Sequence, residues 1–263
     1  MHERHTDKKL YFKEQVYTTE KYVIPFIRQA ADIHSGMKVL EIGCGEGGNL
    51  IPFLDLGCTV TGIDISHSKI ENAFKFFQNH PNKHNATFIA KDIYLAENEL
   101  NEQFDLIIMR DVIEHIHDQF RFMDFVKRFL KPDGNFFIAF PPWYNPFGGH
   151  QQVSTNKILS KLPYYHLLPN TIYKLILRMG GESREKIEGF LEIKETGISI
   201  ERFKNILKTH HYMIILETQF FINPNYEIKF GLKPRKQLSL ITAIPFFRNF
   251  LVTACYYLIE ADD

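Results

Sequence analysis

Five short apolar runs between residues 37 and 140 restrict this chain more than any single motif. They read MKVLEI (37–42), CTVTGID (58–64), ATFIAKD (86–92), FDLIIMRD (104–111) and GNFFIAF (134–140), the last entered through Pro132-Asp133-Gly134. Each has the length of a strand and ends at turn-forming or acidic residues. Helical stretches lie between them: Asn49–Leu56, Ser66–Asn79 with Ser66 as N-cap, and Asp118–Leu130 with Phe122, Phe125, Val126 and Phe129 on one face. Strands and helices alternating over short links predict an α/β fold. Its parallel sheet is wound on both faces, and ligands are taken where strands end.

The flanking regions read differently. Tyr11, Phe12, Val16, Tyr22, Val23, Phe26, Ile27 and Ala30 recur at helical spacing, so residues 1–34 read as covering helices bent near Pro25. Residues 35–142 form the ligand-binding core. Residues 143–200 change character to PPWYNPFGGHQQ-like Pro, Gly and aromatic usage with short helical pieces, an inserted lid after the fifth strand. Residues 201–263 hold a helix (ERFKNILKTH) and two late strands, YMIILETQFFI (212–222) and FLVTACYYLIE (250–260), with a second flap between them. The whole of 1–263 reads as a single domain.

Composition narrows the partners. The 31 basic and 31 acidic residues cancel, so there is no bulk footprint for nucleic acid or an anionic surface, and a small-molecule acceptor is expected. Cys44, Cys58 and Cys255 lack CxxC spacing, which argues against a disulfide framework or structural zinc and for a cytoplasmic protein. The amino-terminal MHERHTDKKLYFKEQ is not a signal peptide, and no apolar stretch has the length of a membrane span. With 24 Phe and 12 Tyr, the chain has either a Phe-rich core or an aromatic pocket; Trp143, Tyr144, Phe147, Tyr164, Tyr165 and His166 would line that pocket or pack the lid's own core.

VLEIGCGEGG (39–48) closes the first strand. Gly43, Gly45 and Gly48 fit GxGxxG, and Asp64 at the end of the second strand can accept ribose hydroxyls, which alone would permit a dinucleotide. Glu41 argues otherwise. A pyrophosphate brought to this loop would meet a carboxylate in a partly buried site. S-adenosylmethionine has no phosphate and carries a sulfonium and an ammonium, for which Glu41 is an asset.

VLEIGCGEGG, GIDIS, AKDI, FDLIIMRDVIEHI and LKPDGNFFIAFPP resemble, in order and spacing, the successive motifs of class I S-adenosylmethionine-dependent methyltransferases over residues 35–142. The resemblance implies a Rossmann-like, seven-stranded, mostly parallel sheet with an antiparallel last strand. It also implies site roles. Glu41, Gly43 and Gly45 would line the methionine and ribose side, and Asp64 would hold the ribose with Ile65 packing on the adenine. Asp92 would accept from the adenine amino group, with the Ile93 backbone alongside. Arg110 would contribute its backbone near the methionine. Read on its own, Asp92 is equally a turn-capping residue.

Methyl transfer needs the acceptor aligned and, for a hydroxyl, a base. RDVIEHIHD after the fourth strand offers Asp111, Glu114 and His115 at i, i+3 and i+4, which one helical turn would place on one face. These residues fit three readings: a hydrogen-bonded structural turn, His115 or His150 as general base, or a divalent-metal site of Asp111, Glu114, His115 and His150. The expectation is catalytic His115 and His150 with no resident metal. DVIEH is similar to the ExxEH metal-binding stretch of small-RNA 2′-O-methyltransferases and ubiquinone-pathway O-methyltransferases, with Asp in place of the first Glu. An Asn/Asp-Pro-Pro-aromatic tetrapeptide, common in N-methyltransferases, does not follow the fourth strand, which favours oxygen as acceptor.

Overall fold

The computed structural model of the chain describes residues 7–100 and 103–261. Its sheet contains β1 (Lys38–Ile42), β2 (Thr59–Asp64), β3 (Ala86–Ala90), β4 (Phe104–Arg110), β5 (Leu130–Phe140), β6 (Tyr212–Ile222), β7 (Arg235–Lys236) and β8 (Ala254–Ala261), in the order β3-β2-β1-β4-β5-β8-β6-β7. β1 to β5 pair in parallel, whereas β8 is antiparallel to both β5 and β6. The expected alternation is therefore present, with one correction: among the described residues the sheet has eight strands, not seven. The additional β7 is two residues long and follows Pro234 on the outer edge of β6, too short to show a period in sequence. β8 also starts later than expected, because Phe247–Phe250 winds into a 3₁₀ turn.

The helices are α1 (Lys8–Thr18), α2 (Ile24–Ile27), α3 (Ile51–Asp55), α4 (His67–Phe77), α5 (Gln119–Val126), α6 (Asn170–Met179), α7 (Arg184–Thr196), α8 (Ile200–Thr209), α9 (Asn225–Phe230) and α10 (Ser239–Thr242). The irregularity expected at Pro25 lies just before it. Pro25 has no N–H to donate, and residues Thr19–Val23 open into a wide π-turn that joins α1 to α2. That turn buries Thr19 completely.

Strand period decides what each face of the sheet meets. Leu40, Ile42, Ile107, Met109, Phe136 and Ile138 face the layer that contains Phe122, Val126 and Phe203. Val39, Leu106, Ile108 and Phe137 face Val23, Phe26, Ile27 and the α4 residues Ile70, Ala73 and Phe77. Glu41 shares its side of β1 with Val39, and Arg110 shares its side of β4 with Ile108. Because Glu41 pairs with Ile108 in parallel register, Glu41 and Arg110 emerge on the same face, beneath the N-terminal helices. The strand order reverses between β1 and β4, the place where open α/β sheets bind ligands.

Residues 141–200 carry a small core of their own, Leu159, Tyr165, Tyr173, Leu177, Ile187 and Phe190. Trp143 N–H donates to Ile198 O at 2.8 Å and so draws the two ends of the segment together, and Thr196 Oγ1 donates to Glu114 O at 2.6 Å, tying the segment to the turn after β4. Among the described residues no helix is long and apolar enough to cross a membrane, and Cys44, Cys58 and Cys255 are free and buried.

Candidate active site

The loop after β1 is built on left-handed backbone: φ is +70° at Gly43, +56° at Gly45 and +81° at Gly47. A Cβ at Gly43 would lie 2.5 Å from Val112 Cγ2, so the end of β1 approaches the loop after β4 as only glycine permits. Gly43 and Cys44 N–H groups both donate to Ile63 O, at 2.8 and 3.0 Å. The Asp64 carboxylate braces the same loop, accepting from Gly45 N–H at 2.9 Å and Ser66 N–H at 2.8 Å, with Lys69 Nζ 3.9 Å away. Ile65 beside it is 75 % exposed, although it is apolar. Asp92 is exposed and caps the turn Ile93–Leu95, accepting from Tyr94 N–H at 3.0 Å, while Ile93 is buried beneath. The structure thus gives Asp92 its capping role and leaves the outer side of the carboxylate facing solvent.

Glu41 is 1 % exposed. Asn49 Nδ2 donates to its Oε1 at 2.5 Å, and its Oε2 has no partner among the described residues. Burial pushes the Glu41 carboxyl up to about 8, against the lowering effects of the Asn49 hydrogen bond and the Arg110 charge. Asn49 Oδ1 accepts from Arg110 Nη1 at 2.5 Å and from Thr19 Oγ1 at 2.8 Å, and Arg110 Nη2 donates to Asn225 Oδ1 at 2.7 Å. The Arg110 side chain therefore ties β4 to the glycine-loop helix, the π-turn and α9, where the sequence had pointed only to its backbone. Asn49, Thr19 and Asn225 escaped the sequence reading. Thr19 lies between Thr18 and Glu20, and Asn225 between Pro224 and Tyr226, so no local pattern singles out either. Asn49, next to Leu50 and Ile51, was the one of the three beside an apolar run.

The turn after β4 corrects a second expectation. Asp111 has φ +54° and only Ile113–His115 winds a 3₁₀ turn, so Asp111 leaves the face shared by Glu114 and His115. His150, itself at φ +53°, brings its imidazole to the His115 ring, with centroids 5.0 Å apart. The side-chain ligand atoms of Glu114, His115 and His150 all lie within 4.8 Å of one another, and Asp111 is not in the group. Glu114 is 3 % exposed, and neither carboxylate oxygen has a hydrogen-bond partner among the described residues. Burial, reinforced by the Asp111 charge, holds its carboxyl well above the usual range. Desolvation lowers His115, and Asp111 opposes it. Gln119 Nε2 holds the turn by donating to Ile113 O at 3.0 Å.

A cavity of about 410 Å³ opens beside this cluster, walled by Tyr11, Asp111, Asn145, Phe147, His150 and Tyr226 among others. Tyr11, Glu14, Asp111, Asn225 and Lys229 are shared with a void of about 20 Å³ that reaches Asn49 and Arg110. The cavity thus leads to the Glu41 network. His115 faces a different cavity, of about 330 Å³, against Phe190 and Ile193. Of the six aromatic candidates in residues 143–166, only Phe147 lines the larger cavity. Trp143 packs edge-on against His166, whose imidazole is brought down to about 4 by burial, accepts from Gln151 Nε2 and donates to Trp143 O. Tyr165 belongs to the small core, and Tyr144 and Tyr164 lean on Phe250. Trp143, Tyr165 and His166 thus pack the inserted segment itself, and Tyr144 and Tyr164 join it to Phe250.

A family model described as a methyltransferase domain matches residues 14–166, more than half of the chain. The chain belongs to the methyltransferase-domain family. Within that family it is similar to proteins named ubiquinone biosynthesis O-methyltransferase. The Bartonella tribocorum protein is 33% identical over 126 residues, 47% of this chain and 49% of that one. The Bartonella bacilliformis protein is 34% identical over 131 residues, with the same shares. The chain therefore spans about half the length of the curated relatives it matches. In fold, this methyltransferase-domain chain is similar to the magnesium protoporphyrin IX methyltransferase of Synechocystis PCC 6803, with a TM-score of 0.56 at 15% identity over 95% of this chain and 84% of that one.

Proposed function

We propose that this chain transfers a methyl group from S-adenosylmethionine to a hydroxyl oxygen of a small-molecule acceptor. The carrying observation is Glu41: a carboxyl buried under a glycine loop, with one oxygen unpartnered. Such a group is hostile to phosphate and receptive to a cation. S-adenosylmethionine supplies an electrophilic methyl on a positively charged sulfur. The residues present fit it. Glu41 and Arg110, emerging on one face of the sheet, offer an acid and a base of the kinds an α-amino acid's two charged ends require. Gly43 and Gly45 let the backbone come close. Asp64, already oriented by two backbone N–H groups, keeps lone pairs for ribose hydroxyls. Exposed Ile65 offers a face for the adenine, exposed Asp92 an acceptor for its amino group, and the Ile93 backbone runs alongside.

On the acceptor side, His150 stands on the cavity wall and takes the hydroxyl proton, with His115 packed edge-on behind it. Residues 35–142 hold the cofactor, and residues 143–200 close over the acceptor. Oxygen is favoured by the names of the relatives, both O-methyltransferases. A small acceptor rather than nucleic acid is favoured by the balanced charge. Titration calorimetry with S-adenosylhomocysteine tests the reading: binding is expected, weakened sharply in Asp64→Ala, and wild-type protein that binds NAD instead would refute it.

A second reading concerns the Glu114–His115–His150 cluster. A carboxylate and two imidazoles form an acceptable donor set for a divalent cation, and the unpartnered, buried Glu114 favours it. There the cation would hold the acceptor oxygen and assist its ionisation, replacing His150 as base. Calorimetry with Mg²⁺, Mn²⁺ and Zn²⁺ against Glu114→Gln decides between them.

A further inference from the structure

The segment between Glu227 and Glu260 contains no acidic residue and five basic ones, Lys229, Lys233, Arg235, Lys236 and Arg248, in a protein whose total charge is zero. The same stretch exposes an unusual set of large apolar side chains. Ile228, Phe230 and Leu232 are 37 to 49 % exposed, and Leu238, Leu240 and Phe246 are 70 to 74 % exposed, with Ile244 and Phe247 also open to solvent. Scattered apolar residues on a surface need no explanation, but eight within twenty residues, rimmed by one sign of charge, do.

The local backbone presents them outward. Phe246 has φ +62° and ψ −50°, and Phe247 N–H donates to Pro245 O at 2.7 Å. This is a classical-sense γ-turn, a strained conformation, centred on a bulky residue. Its base is fixed: Glu201 of α8 accepts from Phe246 N–H at 2.8 Å and from Arg248 Nε at 3.0 Å. The turn is held rigidly from below while its apolar apex points to solvent. Lys233, Arg235 and Lys236 are exposed, and among the described residues none has an acidic partner at ion-pair distance.

We propose that residues 228–247 form a membrane-docking surface that seats on an anionic lipid bilayer, inserting Leu238, Leu240 and Phe246 at headgroup depth while Lys233, Arg235 and Lys236 meet lipid phosphates. Protruding apolar side chains beside cations are the chemistry that recognises an anionic interface. A second copy of the chain fits less well, because a two-fold contact through this face would set one acid-free, basic segment against another. Phe230, Leu232 and Lys229 also line the cavity beside His150, so seating would bring that cavity's mouth to the bilayer.

The test is co-sedimentation of the full chain with vesicles of phosphatidylcholine alone and of phosphatidylcholine with phosphatidylglycerol. Binding is expected only to the second, and to weaken steeply with salt. Lys233→Ala/Arg235→Ala/Lys236→Ala is expected to lower the partition coefficient about 100-fold, at about fivefold per cation. Leu240→Glu/Phe246→Glu is expected to abolish binding. Both variants lie outside the proposed cofactor site, so unchanged S-adenosylhomocysteine affinity and thermal midpoint certify that they are folded. Failure to bind anionic vesicles, binding that survives either variant, or self-association in light scattering that disappears in Leu240→Glu/Phe246→Glu would each overturn the proposal. These readouts do not depend on methyl transfer.

Discussion

The imidazole rings of His115 and His150 meet edge to face, their centroids 5.0 Å apart and their planes at 74°, although each lines a different cavity. His150 is the one that lines the cavity of about 410 Å³, where the proposed acceptor would sit, so the two substitutions should differ. His150→Ala is expected to lower kcat by about two to four orders of magnitude with S-adenosylhomocysteine affinity unchanged, and His115→Ala by clearly less. Steady-state kinetics beside calorimetry make the comparison. Dialysis against EDTA is expected to leave turnover intact; a loss restored by a divalent cation would instead give the cluster with Glu114 to a metal.

Glu41 links binding to pH. With its folded-state carboxyl near 8 and its ordinary value near 4.5, the folded chain holds a proton that the unfolded chain has released over that interval. The ligand-free protein should therefore lose stability as pH rises from about 4.5 to about 8, by at most about 1.4 kcal/mol per unit, and level off above. Urea titrations should show the slope flattened in Glu41→Gln. A cationic ligand favours the ionised carboxylate, so S-adenosylmethionine binding at pH 7 is expected to release a proton. Calorimetry in buffers of different ionisation enthalpy detects it, and Glu41→Gln should abolish it.

Asn49 is the hinge of the buried network, donating to Glu41 and accepting from Arg110 and Thr19. Asn49→Ala strands these groups without partners. It is expected to cost about 1–3 kcal/mol in chemical denaturation and to weaken cofactor binding as well. A loss of stability with affinity fully retained would detach the network from the site.

Gly43→Ala tests the close approach of β1 to the loop after β4. Its φ of +70° costs an L-residue about 1–2 kcal/mol, and the new methyl would collide with Val112 at 2.5 Å. Adding Val112→Ala should recover the steric part and leave the backbone part. Denaturation midpoints of the two single variants and the double variant separate the terms.

The sheet was legible because strand period and turn chemistry both point the same way from Lys38 to Phe140. The glycine loop, Asp64 and Ile65 were legible for the same reason: they sit at strand ends, where sequence and topology coincide. The Glu41–Asn49–Arg110 network was not. Its members are far apart in the chain and meet only because β1 and β4 pair in one register and a π-turn swings Thr19 inward. Asp111 misled because a helical count assumes right-handed backbone, and a non-glycine residue at φ +54° gives no advance notice. The aromatics of 143–166 could pack either way until the small core around Tyr173 took Tyr165, and Trp143 and His166 closed on each other.

β8 occupies the gap between β5 and β6, which have no bonds to each other without it. On a ribosome, β1 to β5 can zip up as they emerge, but β6 and β7 can join them only through β8. A product lacking that strand would thus keep β1 to β5, the glycine loop and the β1–β4 switch point, while β6 and β7 lose their bonds to that part of the sheet.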